Sequence, residues 1–278
     1  MQAVQISGTL DSIAVNAAAT VAVAGAIVMS AALVSQRFGR VIAPSFWFNA
    51  AYSAIALTMN VLAKPLAAGL AAFAVGAIGG GLISLPSHGW GLVGGAAAFV
   101  LLMDFGEYLF HRAQHTVPAL WALHSLHHSD RSMNISTTNR HHWADFPIKS
   151  VTVYLVVALL VRANPAVIAI YSIASLYNYV SHLNVDFGYG RLSFLLNSPR
   201  YHRIHHSRRP EHWNTNFAAI FPIFDVIFGS YRPGAAGAPP PTGLDAREEP
   251  KSIGEAVIWP YRRGAGVATQ SGGFGGTA

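Results

Sequence analysis

The chain has 278 residues, 52 % hydrophobic and 11 % charged, with a formal charge of +6 and no cysteine. Soluble domains carry roughly a quarter charged residues, so the composition excludes an ordinary soluble domain. The missing cysteine excludes disulfides, thiolate metal sites and cysteine-held iron–sulfur clusters within the chain. Fifteen of the eighteen Lys and Arg lie beyond residue 100. That asymmetry fits the positive-inside rule of membrane proteins better than nucleic-acid binding.

In chain order, MQAVQISGTLDS lacks the basic start of a secretory signal, and the apolar run after it is too long for one. Ser12 to Ser35 carries no charge and stops at Gln36-Arg37-Phe38-Gly39-Arg40, which predicts a first transmembrane helix ending in the cytoplasm. Phe46 to Leu85 is apolar but interrupted by Lys64-Pro65. Proline there predicts a kink or a helix end, and topology favours a single crossing. Leu92 to Phe110 is a further span that leads into His111.

Pro147 to His182 contains two apolar runs, Ile148 to Val161 and Ala166 to Tyr179, split by Arg162-Ala163-Asn164-Pro165. Asn-Pro initiates turns, so this stretch predicts a helical hairpin that leaves and returns on the histidine side. Pro199 is placed to start the next histidine-bearing helix. Phe217 to Tyr231 is too short to span and reads as an interfacial or re-entrant piece. Beyond Pro233 the composition shifts to Ala, Gly and Pro, and a disordered tail is expected from about residue 264. The predicted fold is all-α, a polytopic membrane helical domain with a cytoplasmic cap of histidine-bearing helices. Its expected parts are residues 1–90, N-terminal transmembrane or interfacial helices; 91–244, the histidine-bearing catalytic domain; and 245–278, a C-terminal segment.

Five of the thirteen histidines fall between residues 111 and 128. On a helix His111 and His115 share one face, as do His124, His127 and His128. The second spacing recurs as His202, His205 and His206. Neutral imidazole is the commonest metal-binding side chain. So many imidazoles at a dry site without a metal would leave donors and acceptors unsatisfied. His88 and His212 lie apart and read as surface residues. About ten candidate ligands imply two ions, and nitrogen-rich sites suit zinc, copper, iron or nickel. Two ions with five nitrogens each leave an open position, which points to non-haem iron with zinc as an alternative.

Asp104, Glu107 and Tyr108 lie on or beside the His111 face, inside an apolar run where ionisable groups are functional candidates. They are expected to take the outer N–H groups of metal-bound imidazoles, and pairing with nearby arginines is the alternative. Asn178 and His182 are one helical turn apart, His182 as ligand and Asn178 as ligand or water-holder. In NRHHW either His141 or His142 could join the site. Asp225 and Tyr231 are expected to anchor the C-terminal apolar piece.

The segments DFGEYLFHRAQH, LWALHSLHHS, TTNRHH, SPRYHRIHHS and NTNFA, with His182 between the last boxes, resemble the fatty acid hydroxylase/sterol desaturase superfamily of integral membrane di-iron enzymes. The resemblance runs from about Asp104 to Leu244. It implies two iron ions held by His111, His115, His124, His127, His128, His142, His182, His202, His205 and His206; a purified sample could carry zinc as a substitute. It also implies O2 as co-substrate and attack on an unactivated C–H bond of a lipid drawn from the bilayer. Fatty acyl lipids, sterols or hopanoids, carotenoids and aminolipids are candidate substrates. No cytochrome domain or dinucleotide fingerprint is present, so a separate donor, a ferredoxin or a cytochrome with its reductase, is expected to dock near Arg200, Arg203, Arg208 and Arg209. The expected location is multi-pass in the membrane, with the metal site on the cytoplasmic side. Lipid desaturation is the neighbouring reading, and a histidine-rich metal transporter or a membrane zinc hydrolase are readings from other classes. HRAQH lacks the glutamate that a zincin helix uses as base.

Overall fold

The computed structural model describes residues 43–234, 237–244 and 248–263. The expected first helix, Ser12 to Ser35, and the tail from residue 264 lie outside the described residues. Within them the chain is mostly helical, with one parallel pair of two-residue strands, β1 Ile83–Ser84 and β2 Val161–Arg162.

Helix α1, Phe46–Ala77, runs continuously past Pro65, where the sequence predicts a break. Proline forfeits one backbone bond, and long membrane helices tolerate such a loss where local adjustments re-satisfy the freed groups. Helix α2, Gly89–Thr116, is long and apolar enough to cross a membrane. It turns at Val117 into α3, Pro118–His128, with Pro118 at a position where a missing N–H costs nothing. After a short 3₁₀ turn, Ile135–Asn139, come α4 (Asp145–Lys149), a π-helical turn (Ser150–Tyr154) and α5 (Leu155–Leu160). The expected turn then appears: the Asn164 side chain accepts from Val167 N at 3.1 Å, and Pro165 opens α6 (Pro165–Ser175). Caps of this kind contribute about 1 kcal/mol. Helix α7 (Tyr177–Ser181) ends at His182. Helix α8 (Pro199–His205) begins as predicted at Pro199, with Ser198 Oγ accepting from Tyr201 N at 3.2 Å. The remaining helices are α9 (Ile223–Ile227), α10 (Ile253–Val257) and α11 (Trp259–Arg263).

Two apolar clusters fix these pieces. Phe99, Met103 and Phe110 of α2 pack against Val153, Val157 and Val167, which closes the hairpin onto α2. Tyr52 of α1, Trp121 and Leu126 of α3, and Ala256 and Trp259 near the C-terminus form the second. A buried polar seam runs alongside it. Asn49 Nδ2 donates to Asp130 Oδ2 at 2.8 Å, while Arg140 donates to Asn49 Oδ1 at 3.0 Å and to Ser129 Oγ at 2.7 Å. The helix that carries three histidines is thereby clamped from both sides.

Trp259 is 4 % exposed and its Nε1 donates to Ser125 Oγ at 3.0 Å, against α3. Trp259→Ala is expected to cost about 3–5 kcal/mol, read as a lowered midpoint in a thermal unfolding scan of the detergent-solubilised chain.

Candidate metal centre

Nine imidazoles converge in two groups. His111, His115, His124, His128 and His205 form one, and His127, His182, His202 and His206 the other; within each group the candidate ligand nitrogens lie within 4.8 Å of one another. The local reason is helical spacing. α2 presents His111 and His115, and α3 sends His124 and His128 to the first group and His127 to the second. α8 and its C-cap likewise divide His205 from His202 and His206.

The nitrogen separations have the size expected around an ion. His111 Nε2 lies 3.0 Å from His124 Nε2, and His182 Nε2 lies 3.1 Å from His202 Nε2 and 3.3 Å from His127 Nε2. Two nitrogens bound about 2.1 Å from one ion at right angles stand about 3.0 Å apart. Three rings have their other nitrogen fixed by a backbone carbonyl. His111 Nδ1 meets Phe217 O at 2.7 Å, His205 Nδ1 meets Thr215 O at 2.9 Å, and His182 Nδ1 meets Asn178 O at 2.7 Å. Each carbonyl selects the tautomer that leaves Nε2 as the lone-pair donor.

The site is dry. Burial pushes the His205 imidazole down to about 4 and those of His127, His128 and His206 well below the usual histidine value. All four are therefore neutral at pH 7, which is the form that ligates. Nε2 of His128 and His205 and both nitrogens of His206 are buried with no hydrogen-bond partner among the described residues. An unmet buried polar group costs about 1–3 kcal/mol, and Nε2 of His128 and His205 with one nitrogen of His206 fit a cation.

Several expected residues sit elsewhere. His142 joins neither group: its Nε2 meets Val257 O at 2.9 Å, so it ties the C-terminal segment down. Its neighbour His141 stacks on His127 with ring centroids 4.2 Å apart, and its Nδ1 meets Asp145 Oδ2 at 3.2 Å. Asp104 and Glu107 bind no histidine. Asp104 accepts from Ile220 N at 2.9 Å and Phe221 N at 2.8 Å. Glu107 accepts from Lys149 Nζ at 2.7 Å and from the Tyr154 and Tyr171 hydroxyls. Asp104 meets backbone and Glu107 side chains of neighbouring segments, one to two turns short of the ring nitrogens. Asn178 serves His182 through its carbonyl, while its side chain donates to Ser175 O at 3.0 Å.

One carboxylate near the site, Asp145, escaped the sequence reading, while Asp225 anchors the Phe217 to Tyr231 piece as expected. Asp145 Oδ2 lies 3.9 Å from His124 Nδ1. Asp225 accepts from Phe217 N and Ala218 N, both at 2.8 Å, from Ser230 Oγ at 2.7 Å and from the Tyr201 hydroxyl. Only the spacing Asp145 − His141, one helical turn, was visible in the sequence as a pairing signal.

Residues 96–230 match the family model for fatty acid hydroxylases. Over 132 residues the chain is 36 % identical to alkylglycerol monooxygenase of Danio rerio, covering 47 % of this chain and 29 % of that protein. It is 31 % identical over 132 residues to ornithine lipid hydroxylase OlsE of Rhizobium tropici, covering 48 % and 40 %. Human alkylglycerol monooxygenase is 36 % identical over 130 residues, covering 46 % and 28 %. The chain thus spans less than half the length of these relatives. No solved structure matches it.

His205→Ala is expected to lower the metal content per chain, whereas His142→Ala is expected to leave it unchanged. Elemental analysis of the two purified variants beside the parent checks this.

Proposed function

The chain belongs to the fatty acid hydroxylase superfamily through residues 96–230, and from that premise we propose that it is a membrane di-iron oxygenase that hydroxylates an unactivated C–H bond of a lipid. The observation that carries the reading is the division of nine imidazoles, eight buried and His111 partly so, into groups of five and four. His111, His115, His124, His128 and His205 would hold one ion, and His127, His182, His202 and His206 the other. Iron bound there supplies dioxygen activation and removal of hydrogen from an unreactive carbon. Overall, one C–H bond, O2, two electrons and two protons become an alcohol and water.

The protein's own residues do the rest. The carbonyls of Phe217, Thr215 and Asn178 hold three rings in the ligating tautomer. Phe217, packed on His111, His115 and His205, keeps water from that side. An apolar groove of about 490 Å³, lined by Leu92, Ala96, Val100, Ile170 and Phe221 among others, offers room for a lipid tail. It lies on α2 and shares Phe221 with the loop beside the metal centre. Hydroxylation is preferred to desaturation because the relatives are a monooxygenase and a lipid hydroxylase by name. Two closed, buried clusters also argue against a transport path.

Exposed apolar side chains on α1, α2 and α6, Phe73, Trp90, Leu101 and Ile173 among them, support a multi-pass membrane placement. The basic residues around the histidine helices favour the cytoplasmic side for the metals. A separate electron donor would dock on that face. There Arg208 and Arg209 are exposed, while Arg200 pairs with Asp186 and Arg203 donates to Asn184.

Expression in a host of known lipid composition is expected to yield lipids heavier by one oxygen atom, and His127→Ala to abolish them. A mass shift that persists in His127→Ala would sink the assignment. Reversing Arg208 and Arg209 to glutamate is expected to slow turnover and flatten its dependence on ionic strength. Steady-state rates across a salt series test the docking face, and unchanged rates and salt dependence would refute it.

A further inference from the structure

The two histidine groups are supported in different ways. In the five-histidine group two rings, His111 and His205, lean on carbonyls of one short loop, Phe217 O and Thr215 O. In the four-histidine group the carbonyl support among the described residues is Asn178 O, on His182.

The loop that offers the two carbonyls is unusually constrained. Asn214 and Asn216 adopt φ of 56° and 60°, the left-handed region that asparagine tolerates better than other side-chain-bearing residues. These residues flank Thr215 and turn its carbonyl toward His205. The Asn216 side chain donates to Tyr201 O at 3.0 Å and Arg232 O at 2.9 Å and accepts from Arg232 N at 2.7 Å. Asp225 takes the next two amides, Phe217 N and Ala218 N, one on each carboxylate oxygen. Asn197 Nδ2 then holds Ala218 O at 3.1 Å and Ala219 O at 2.9 Å, and Asp104 holds the amides of Ile220 and Phe221. Most main-chain polar groups from residue 217 to 221 are thus anchored by a side chain. The carbonyl of Phe217 is the one turned to His111.

We infer that the loop Thr215–Ala218, held by Asp225 and Asn216, is the positioning device of one metal position only, the one built from His111, His115, His124, His128 and His205. This rests on the reading of the two histidine groups as metal positions. Asp225 touches neither ligand nor metal; it is a positioning residue that acts through the Phe217 and Thr215 carbonyls. Asp225→Asn replaces one acceptor oxygen by an amide donor, so either Phe217 N or Ala218 N loses its partner and faces another N–H. Asn216→Gly keeps the left-handed backbone accessible and removes only the side-chain bonds. Asp225 also receives the Tyr201 hydroxyl from α8. Asn216 likewise holds Tyr201 O of α8, but the Ser198 cap and the helix's own backbone bonds remain to place His202 and His206.

The test is cobalt(II) titration of the full, metal-stripped chain in detergent, followed by visible absorption. Two binding steps are expected in the parent, and His182→Ala identifies the step that belongs to the four-histidine group. Asp225→Asn and Asn216→Gly are each expected to weaken the other step roughly 10- to 100-fold, the usual cost of losing support behind a ligand, and to leave the His182-dependent step where it was. The inference is overturned if, in whichever of the two variants folds, both steps weaken alike or neither moves. A parent chain that binds no cobalt at all would instead refute the metal reading on which it rests.

Discussion

Everything in this molecule answers to one electrostatic demand: nine imidazoles are packed together, eight of them buried. Burial disfavours the protonated form of an imidazole, and a neutral ring has one lone pair and one N–H to place. The carbonyls of Phe217, Thr215 and Asn178 take the N–H of three rings. Within the two groups, ring nitrogens then stand 3.0 to 3.3 Å from one another. A cation shared within each group would take the lone pairs that the carbonyls leave free. The fold without metal therefore carries the desolvation cost of its own site, and metal binding and folding are coupled.

The carboxylates show how the backbone is made to serve that demand. Buried loop amides have no water to donate to, and each unmet one costs about 1–3 kcal/mol. Asp104 and Asp225 solve this for the segment from Phe217 to Phe221 by each accepting two amides. That use of acid groups differs from the direct carboxylate–imidazole contact common behind metal ligands. One negative charge spread over two amides fixes a loop rather than a ring, and the loop then fixes the ring through a carbonyl. The ligand geometry is inherited from main-chain position, which a side-chain rotamer cannot loosen.

How much of this could be read from the sequence follows from the range of each interaction. Helical spacing is local, so His111/His115, His124/His127/His128 and His202/His205/His206 were legible, as were the helix starts at Pro199 and Asn164-Pro165. The choice between His141 and His142 was not, because it depends on where Val257 arrives, 115 residues away. Asp104 and Glu107 were correctly singled out as unusual in an apolar helix, yet their partners lie 116 and 42 residues off. Residue type told that they need partners and could not tell which. Pro65 misled for a related reason: a proline argues for a break only where nothing compensates the lost bond.

Glu107 and Lys149 show what such a pair can contribute inside an apolar bundle. A lone charge at that depth is expensive, but Lys149 stands 2.7 Å from the carboxylate, and the Tyr154 and Tyr171 hydroxyls donate to its other oxygen. The pair is neutral as a unit, and its members come from α2, α4, the π-helical turn and α6. Breaking it by removing one partner would strand the other charge, which costs more than the pair contributes. The same helix that carries the first two ligands is locked to the hairpin below them, and rotation of α2, which would separate His111 from His205, is resisted a turn away from the chemistry.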